Sequence, residues 1–195
     1  MSSKLPAAEK VDPRIRRTRK LLYQAFMDAL SEKSFQSISV QDITEKAGLN
    51  RTTFYLHFPD KYTLVEYSLS RMFRQEIEKR MLNACRFSQG NLRLLIIMVC
   101  EFVAQYISHC AQSDAQFESL VQAQVQKQMQ ALLQVWLEQA SPDKDLKLTA
   151  TASSWAIYGL ALQWSHAKKR PQVETFSDQV LPIVADIFGM AQPAP

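Results

Sequence analysis

Only four glycines are spread over 195 residues, and that scarcity limits the fold before any motif is read. Two-residue hairpins, bulges and phosphate-cradling loops draw on backbone with positive φ, which glycine supplies at no steric cost. A chain with so few cannot make the repeated tight reversals of a sandwich or barrel. Long helices joined by short connections are what remains. Hydrophobic residues make up 47% and charged residues 22%, so a helical chain of this size buries a core without staples. No stretch alternates with period two, no repeat recurs and no heptad array is sustained. The fold is predicted to be all-α, with about nine helices.

Helix boundaries can be read from capping chemistry. Asp12-Pro13 is an N-cap followed by proline at the first helical position, and Leu22, Ala25, Phe26, Ala29 and Leu30 then recur at helical spacing. Ser39 with Asp42 three residues on makes a capping-box start, and Gly48 is a C-terminal stop. Asn50 can cap a second short helix from Arg51 to about Phe58, ended by Pro59-Asp60. A long helix is predicted over residues 60–85, with Gly90-Asn91 as the clearest break in the chain. Residues 92–110 are apolar nearly all round in their first half, as a buried central helix would be. Ser113 and Gln116 cap another helix running toward Pro142, and residues 146–167 and 173–188 give two more.

Charge is unevenly placed. Residues 1–61 hold 11 Lys and Arg against 7 Asp and Glu, whereas residues 62–195 hold 12 of each. The first helix carries Arg14, Arg16, Arg17, Arg19 and Lys20 in its opening turns, where the helix dipole favours acids. That run is either a solvated face or a surface for an external polyanion. Its position just ahead of the two short helices favours phosphate.

Those two helices with their glycine turn satisfy the physical requirements of a helix-turn-helix. Phe54 and Phe58, four apart, anchor the second helix inward. Arg51, Thr52, Tyr55 and His57 are left on outer faces, where hydroxyls and the guanidinium fork can meet phosphates or base edges. Asn50 caps the same helix, whose free N–H groups face an anion, and Lys61 adds charge at the next helix start. The stretch Ile43, Ala47, Gly48, Thr53, Phe54, Tyr55, His57, Phe58 and Lys61 resembles the DNA-binding domain of the tetracycline-repressor (TetR) family, whose signature is I-x-x-x-A-G-x-x-x-x-T-F-Y-x-H-F-x-x-K. It departs from the family at Thr44, where alanine is frequent, and at Leu56, an apolar residue where a polar one is common.

The resemblance implies a homodimeric transcription regulator, usually a repressor, that binds double-stranded DNA at a palindromic operator and dimerises through its last two helices. It implies DNA contacts at Arg51, Thr52, Thr53, Tyr55 and His57, with Tyr55 and Lys61 on the phosphate backbone and Gln41 touching DNA in some members. Arg17, from the basic run, and Asn50 complete the expected set. Arg51 is the leading candidate for base readout, because its fork pairs bidentately with guanine. The division implied is a polar tail at 1–11, a helix-turn-helix domain at 12–66, an effector-binding and dimerisation domain at 67–190 and a tail at 191–195, both tails expected to be disordered. Dimerisation is expected through Trp155, Ile157, Leu160, Trp164, Phe176, Val180, Ile183 and Ile187.

Other features admit two readings. His57 is a phosphate contact or a packing residue. Met98, Phe102, Tyr106, Phe117, Met129, Trp136, Trp155 and Tyr158 are ordinary core or the lining for a small apolar or aromatic effector. Glu101 is the one acid in residues 92–103 and either lies on an exposed face or, if buried, anchors a polar group of that effector. Cys100, His109 and Cys110 lack metal-ligand spacing, and Cys85 adds no CxxC pair, so no metal and no cofactor are expected. No nucleophile motif or acid-base cluster points to an enzyme. Residues 1–10 lack an apolar signal stretch. The longest apolar run, residues 94–100, is far short of the roughly 20 residues a membrane span needs. A cytoplasmic protein is expected. The rival readings are a basic membrane-surface protein, an activator, and a DNA-binding regulator with no effector.

Overall fold

The computed structural model describes residues 12–80, 87–108, 115–140 and 145–188. Among these the chain is entirely helical, with α1 (Pro13–Leu30), a 3-10 turn (Phe35–Ser37), α2 (Val40–Ala47), α3 (Arg51–His57), α4 (Lys61–Arg80), α5 (Gln89–Ser108), α6 (Ala115–Ala140), α7 (Leu146–His166) and α8 (Val173–Ile187). That is eight α-helices among the described residues, close to the nine expected. Both predicted tails, Cys85, His109, Cys110, Ser113 and Pro142 lie outside the described residues.

Two compact units form. The first takes the described residues up to Ser68 together with Ser108 and residues 115–120, and the second takes the rest. In the first, α1 starts where Asp12 accepts the Arg14 N–H at 2.8 Å. Helix α2 starts on a full capping box: Asp42 N–H donates to the Ser39 hydroxyl, and Ser39 N–H donates to the Asp42 carboxylate at 2.7 Å. Gly48 ends α2 at φ +67°, in the left-handed region that only glycine enters cheaply. Lys33 and Asp42 pair at 2.7 Å, as do Lys46 and Glu32, bracing α2 against the end of α1. Leu22, Phe26 and Leu30 of α1, Ile43 of α2, Phe54 of α3 and Leu64 of α4 are fully buried. The 3-10 turn, which periodicity does not reveal, sends Phe35 into the same core. Its ring meets Phe26 edge-on at 5.9 Å, Tyr62 at 5.2 Å and Phe117 at 6.1 Å.

In the second unit α5 is the central element. Residues 95–100 are all buried, as the unbroken apolar run predicts. Phe73 meets Phe102 edge-on at 5.2 Å, Phe102 meets Tyr106 at a tilt at 4.5 Å, and the Tyr106 hydroxyl donates to the Met72 sulfur at 3.0 Å. Arg93 of α5 reaches Asp178 of α8, and α7 packs on α8. Gly90 does not break the chain: it lies in the first turn of α5, capped where the Ser88 hydroxyl accepts the Asn91 N–H at 3.1 Å. The first turn of a helix has no intrahelical N–H bonds to lose, so glycine costs little there.

Candidate nucleic-acid interface

Helix α3 has one inward anchor and one outward ridge. Phe54 is wholly buried, and Phe58, at the C-cap, is nearly so. Fully burying a phenylalanine contributes about 2–3 kcal/mol, enough to hold a seven-residue helix that has little stability of its own. At about 100° per residue, Thr52 and Leu56 fall opposite Phe54, with Arg51 and Tyr55 on one flank. Arg51, Thr52, Tyr55 and Leu56 are all exposed, Tyr55 at 51% and Leu56 at 79%.

Not every expected residue keeps its polar group available. Asn50 accepts both the Thr53 N–H at 2.7 Å and the Thr53 hydroxyl at 2.8 Å, so Thr53 spends its proton on the cap and is only half exposed. His57 is half-buried with its ring beside Phe58. Burial first, and the charge of Arg19 second, hold its pKa below the ordinary 6.5, so it is mainly a neutral ring at neutral pH. Gln41 is exposed and donates to Glu45 at 2.8 Å on the surface.

Lys61 is turned toward the backbone of the preceding segment. Its ammonium donates to the carbonyls of Phe35 and Ile38, each at 2.7 Å, and of Gln36 at 3.1 Å, and lies 4.6 Å from the centre of the Phe35 ring. An ammonium has three N–H donors, and three carbonyls now take them. Lys61 therefore closes the 3-10 turn onto the start of α4, with its donors directed into the chain.

The basic run divides as well. Arg14, Arg16, Arg17 and Lys20 are exposed, but Arg19 folds over the rings of Tyr67 at 4.6 Å and Phe58 at 5.5 Å. That cation–π contact ties the second turn of α1 to the end of α3 and the start of α4. Exposed guanidinium and ammonium groups from α1 thus belong to the same compact unit as the exposed ridge of α3. This arrangement can donate to phosphates from α1 and from Tyr55, and can present Arg51, Thr52 and Leu56 to base edges. Leu56 is the residue that the motif alone leaves without a task; its place four residues from Thr52 and two from Phe54 is the signal that puts it outermost.

The residues expected to line an effector site separate. Met98, Phe102, Tyr106, Met129, Trp136 and Tyr158 are buried in the second unit. Phe117 is not among them: it packs on Phe26 and Phe35 in the first unit, because α6 begins there. Trp155 is 52% exposed on the outer side of α7. Glu101 pairs with Arg80, which also holds Glu76, so its charge is met from within the chain. Burial, with Glu101 second, pushes the Cys100 thiol up to about 12, leaving it an inert packing group. Among the described residues no three His, Cys, Asp or Glu side chains come together as a metal site, and no helix is long and apolar enough to cross a membrane. In the expected dimer face, Ile157 and Val180 are buried in the monomer, and Trp164 stacks on Phe176 at 6.3 Å. Leu148, Trp155 and Ile183 remain exposed.

Comparison with known proteins agrees with this geometry. Residues 21–67 match the family model of bacterial regulatory proteins of the tetR family. The chain is 37% identical over 71 residues to the uncharacterized HTH-type transcriptional regulator YxbF of Bacillus subtilis, a match covering 36% of this chain and 19% of that protein. Among solved structures, a TetR-family regulator from Streptomyces coelicolor superposes with a TM-score of 0.62 at 17% identity, over 91% of this chain and 98% of that one. The transcriptional regulator FadR from Bacillus subtilis, in complex with stearoyl-CoA, gives 0.60 at 16%, over 85% and 96%. At these identities the structural likeness is one of fold.

Proposed function

We propose that the chain is a helix-turn-helix transcriptional regulator of the tetR family, whose model matches its residues 21–67, and that it acts as a repressor. It binds a palindromic operator in double-stranded DNA as a homodimer and is released by a small apolar or aromatic effector. The observation that carries this reading is the exposed ridge of α3, anchored from behind by Phe54 and accompanied by exposed basic groups of α1. In this reading Arg51 reads a guanine, while Tyr55 and Arg17 grip phosphates. Asn50, at the helix N-terminus, and the exposed Gln41 lie at the edge of the contact. In the same reading Thr53 completes the N-cap, the His57 ring packs beside Phe58, and Lys61 closes the 3-10 turn.

Two copies are needed because one seven-residue helix reads too few base pairs to select a site, and a two-fold pair places two such helices about 34–36 Å apart on successive grooves. The exposed Leu148, Trp155 and Ile183 of α7 and α8 supply apolar surface for that pairing. The effector reading rests on the methionine and aromatic set Met98, Phe102, Tyr106, Met129, Trp136 and Tyr158, a soft apolar interior. That the FadR of similar fold was solved with stearoyl-CoA fits an apolar effector here.

Selection of bound duplexes from a random DNA pool tests the reading. A palindromic site should emerge, with affinity falling on added salt by a log-log slope of about 0.9 per phosphate neutralised. Arg51→Ala should flatten preference at one base pair per half-site, whereas Tyr55→Ala should weaken all sequences alike. Absence of any enriched duplex at low salt would sink the proposal. An effector that binds must weaken operator affinity by the factor by which the operator weakens its own; one that tightens operator binding makes the protein an activator or a ligand-dependent repressor.

A further inference from the structure

Among the described residues Leu56 is the most exposed large apolar side chain, at 79%, and nothing in the fold accounts for it. Single exposed leucines are common on protein surfaces and by themselves mean little. This one stands at the summit of α3, four residues from Thr52 and opposite the buried Phe54. Whatever α3 is pushed into, the side chains opposite its anchor enter first. Both residues of that summit end in methyl groups, while the guanidinium of Arg51 and the phenol of Tyr55 lie to one side.

The surroundings say what kind of partner fits. Residues 49–59 contain no Asp or Glu, and Arg51 shares the helix. Arg14, Arg16, Arg17 and Lys20 are exposed in the same compact unit. An apolar tip bordered by cations is unsuited to an apolar protein groove and suited to a polyanion with an apolar feature recessed between its charges. In the major groove of duplex DNA that feature exists: the 5-methyl group of thymine is the apolar protrusion on the base edges. A polar residue at this position could hydrogen-bond any of several bases, but leucine can do neither that nor pair with a phosphate.

We propose that Leu56 is a specificity-determining residue whose side chain covers the 5-methyl group of one thymine in each half-site, with the Thr52 methyl beside it. This rests on the DNA-binding reading above and adds to it the identity of one base pair. Leu56 thereby selects T·A over C·G by the methyl alone, and selects thymine over uracil in the same pair.

That distinction supplies the experiment. The full-length protein is titrated against its selected duplex with each thymine replaced in turn by deoxyuridine, which keeps the pairing with adenine and removes only the methyl. Wild type should lose about fourfold in affinity at one position per half-site, the effect of uncovering roughly one methyl group. Leu56→Ala should bind the thymine and uracil duplexes alike at that position, with unchanged thermal stability because the side chain is exposed. Indifference of wild type to every deoxyuridine, while it still binds the site specifically, overturns the proposal and leaves the repressor reading intact. So does a penalty that persists in Leu56→Ala but vanishes in Thr52→Ser. Failure to bind any duplex overturns both.

Discussion

A lysine and an aspartate show how the same residue type can be read two ways until its neighbours are known. Lys61 sits in a signature associated with DNA and yet holds three carbonyls of the preceding turn. Lys61→Met keeps the aliphatic stem and removes the donors, so it should cost about 2 kcal/mol of stability, the scale of hydrogen bonds to a charged group. The salt slope of operator binding should stay as it was; a slope reduced by about one phosphate would return Lys61 to the DNA. Asp42 gives a pH signature. Hydrogen bonds first from Lys33 and then from Ser39 hold its carboxyl well below the ordinary 3.8. A depressed acid adds stability that is complete above the unfolded value and lost as pH falls toward the folded one. Asp42→Asn should therefore be less stable than wild type by about 1 kcal/mol near neutrality. In urea titrations run at successive pH values, that difference should shrink below about pH 4.

At the scale of elements, the helix-turn-helix depends on where two short helices stop and start. Neither α2, of eight residues, nor α3, of seven, would persist alone. Their limits are set by Ser39, Gly48 and Asn50, and all three act as their residue types predict. A Cβ at Gly48 would meet nothing within 4 Å, so the only obstacle to a side chain there is the positive φ. Gly48→Ala should cost about 1 kcal/mol and Gly48→Asn less, since asparagine tolerates that region. Equal losses, measured by denaturant unfolding, would mean that space and not backbone conformation decides the position. Capping was legible because it is local, each cap joining residues at most three apart. The 3-10 turn at Phe35–Ser37 was not, because its closure by Lys61 joins residues 23 to 26 apart in the chain.

For the whole molecule, the face carrying Leu148, Trp155 and Ile183 should decide the oligomeric state. Trp155→Glu combined with Ile183→Glu should yield a folded monomer by sedimentation and a loss of operator affinity well beyond tenfold, since one half-site then binds alone. A dimer that persists would move the interface elsewhere. Both side chains are exposed in the single chain, so helicity should not change. The amino-acid sequence by itself determined the all-helical class, the caps of the recognition unit and the inward anchors Phe54 and Phe58. Each of these depends on spacings within a few turns of one helix, where residue type and periodicity leave few alternatives. Tertiary structure alone decided that Lys61 and Arg19 turn inward and that Phe117 leaves the second core for the first. It likewise decided that Glu101 is answered by Arg80. The physical reason is that a long or aromatic side chain has several partners of similar energy within its reach, and only packing between distant segments settles which one is close enough to be met.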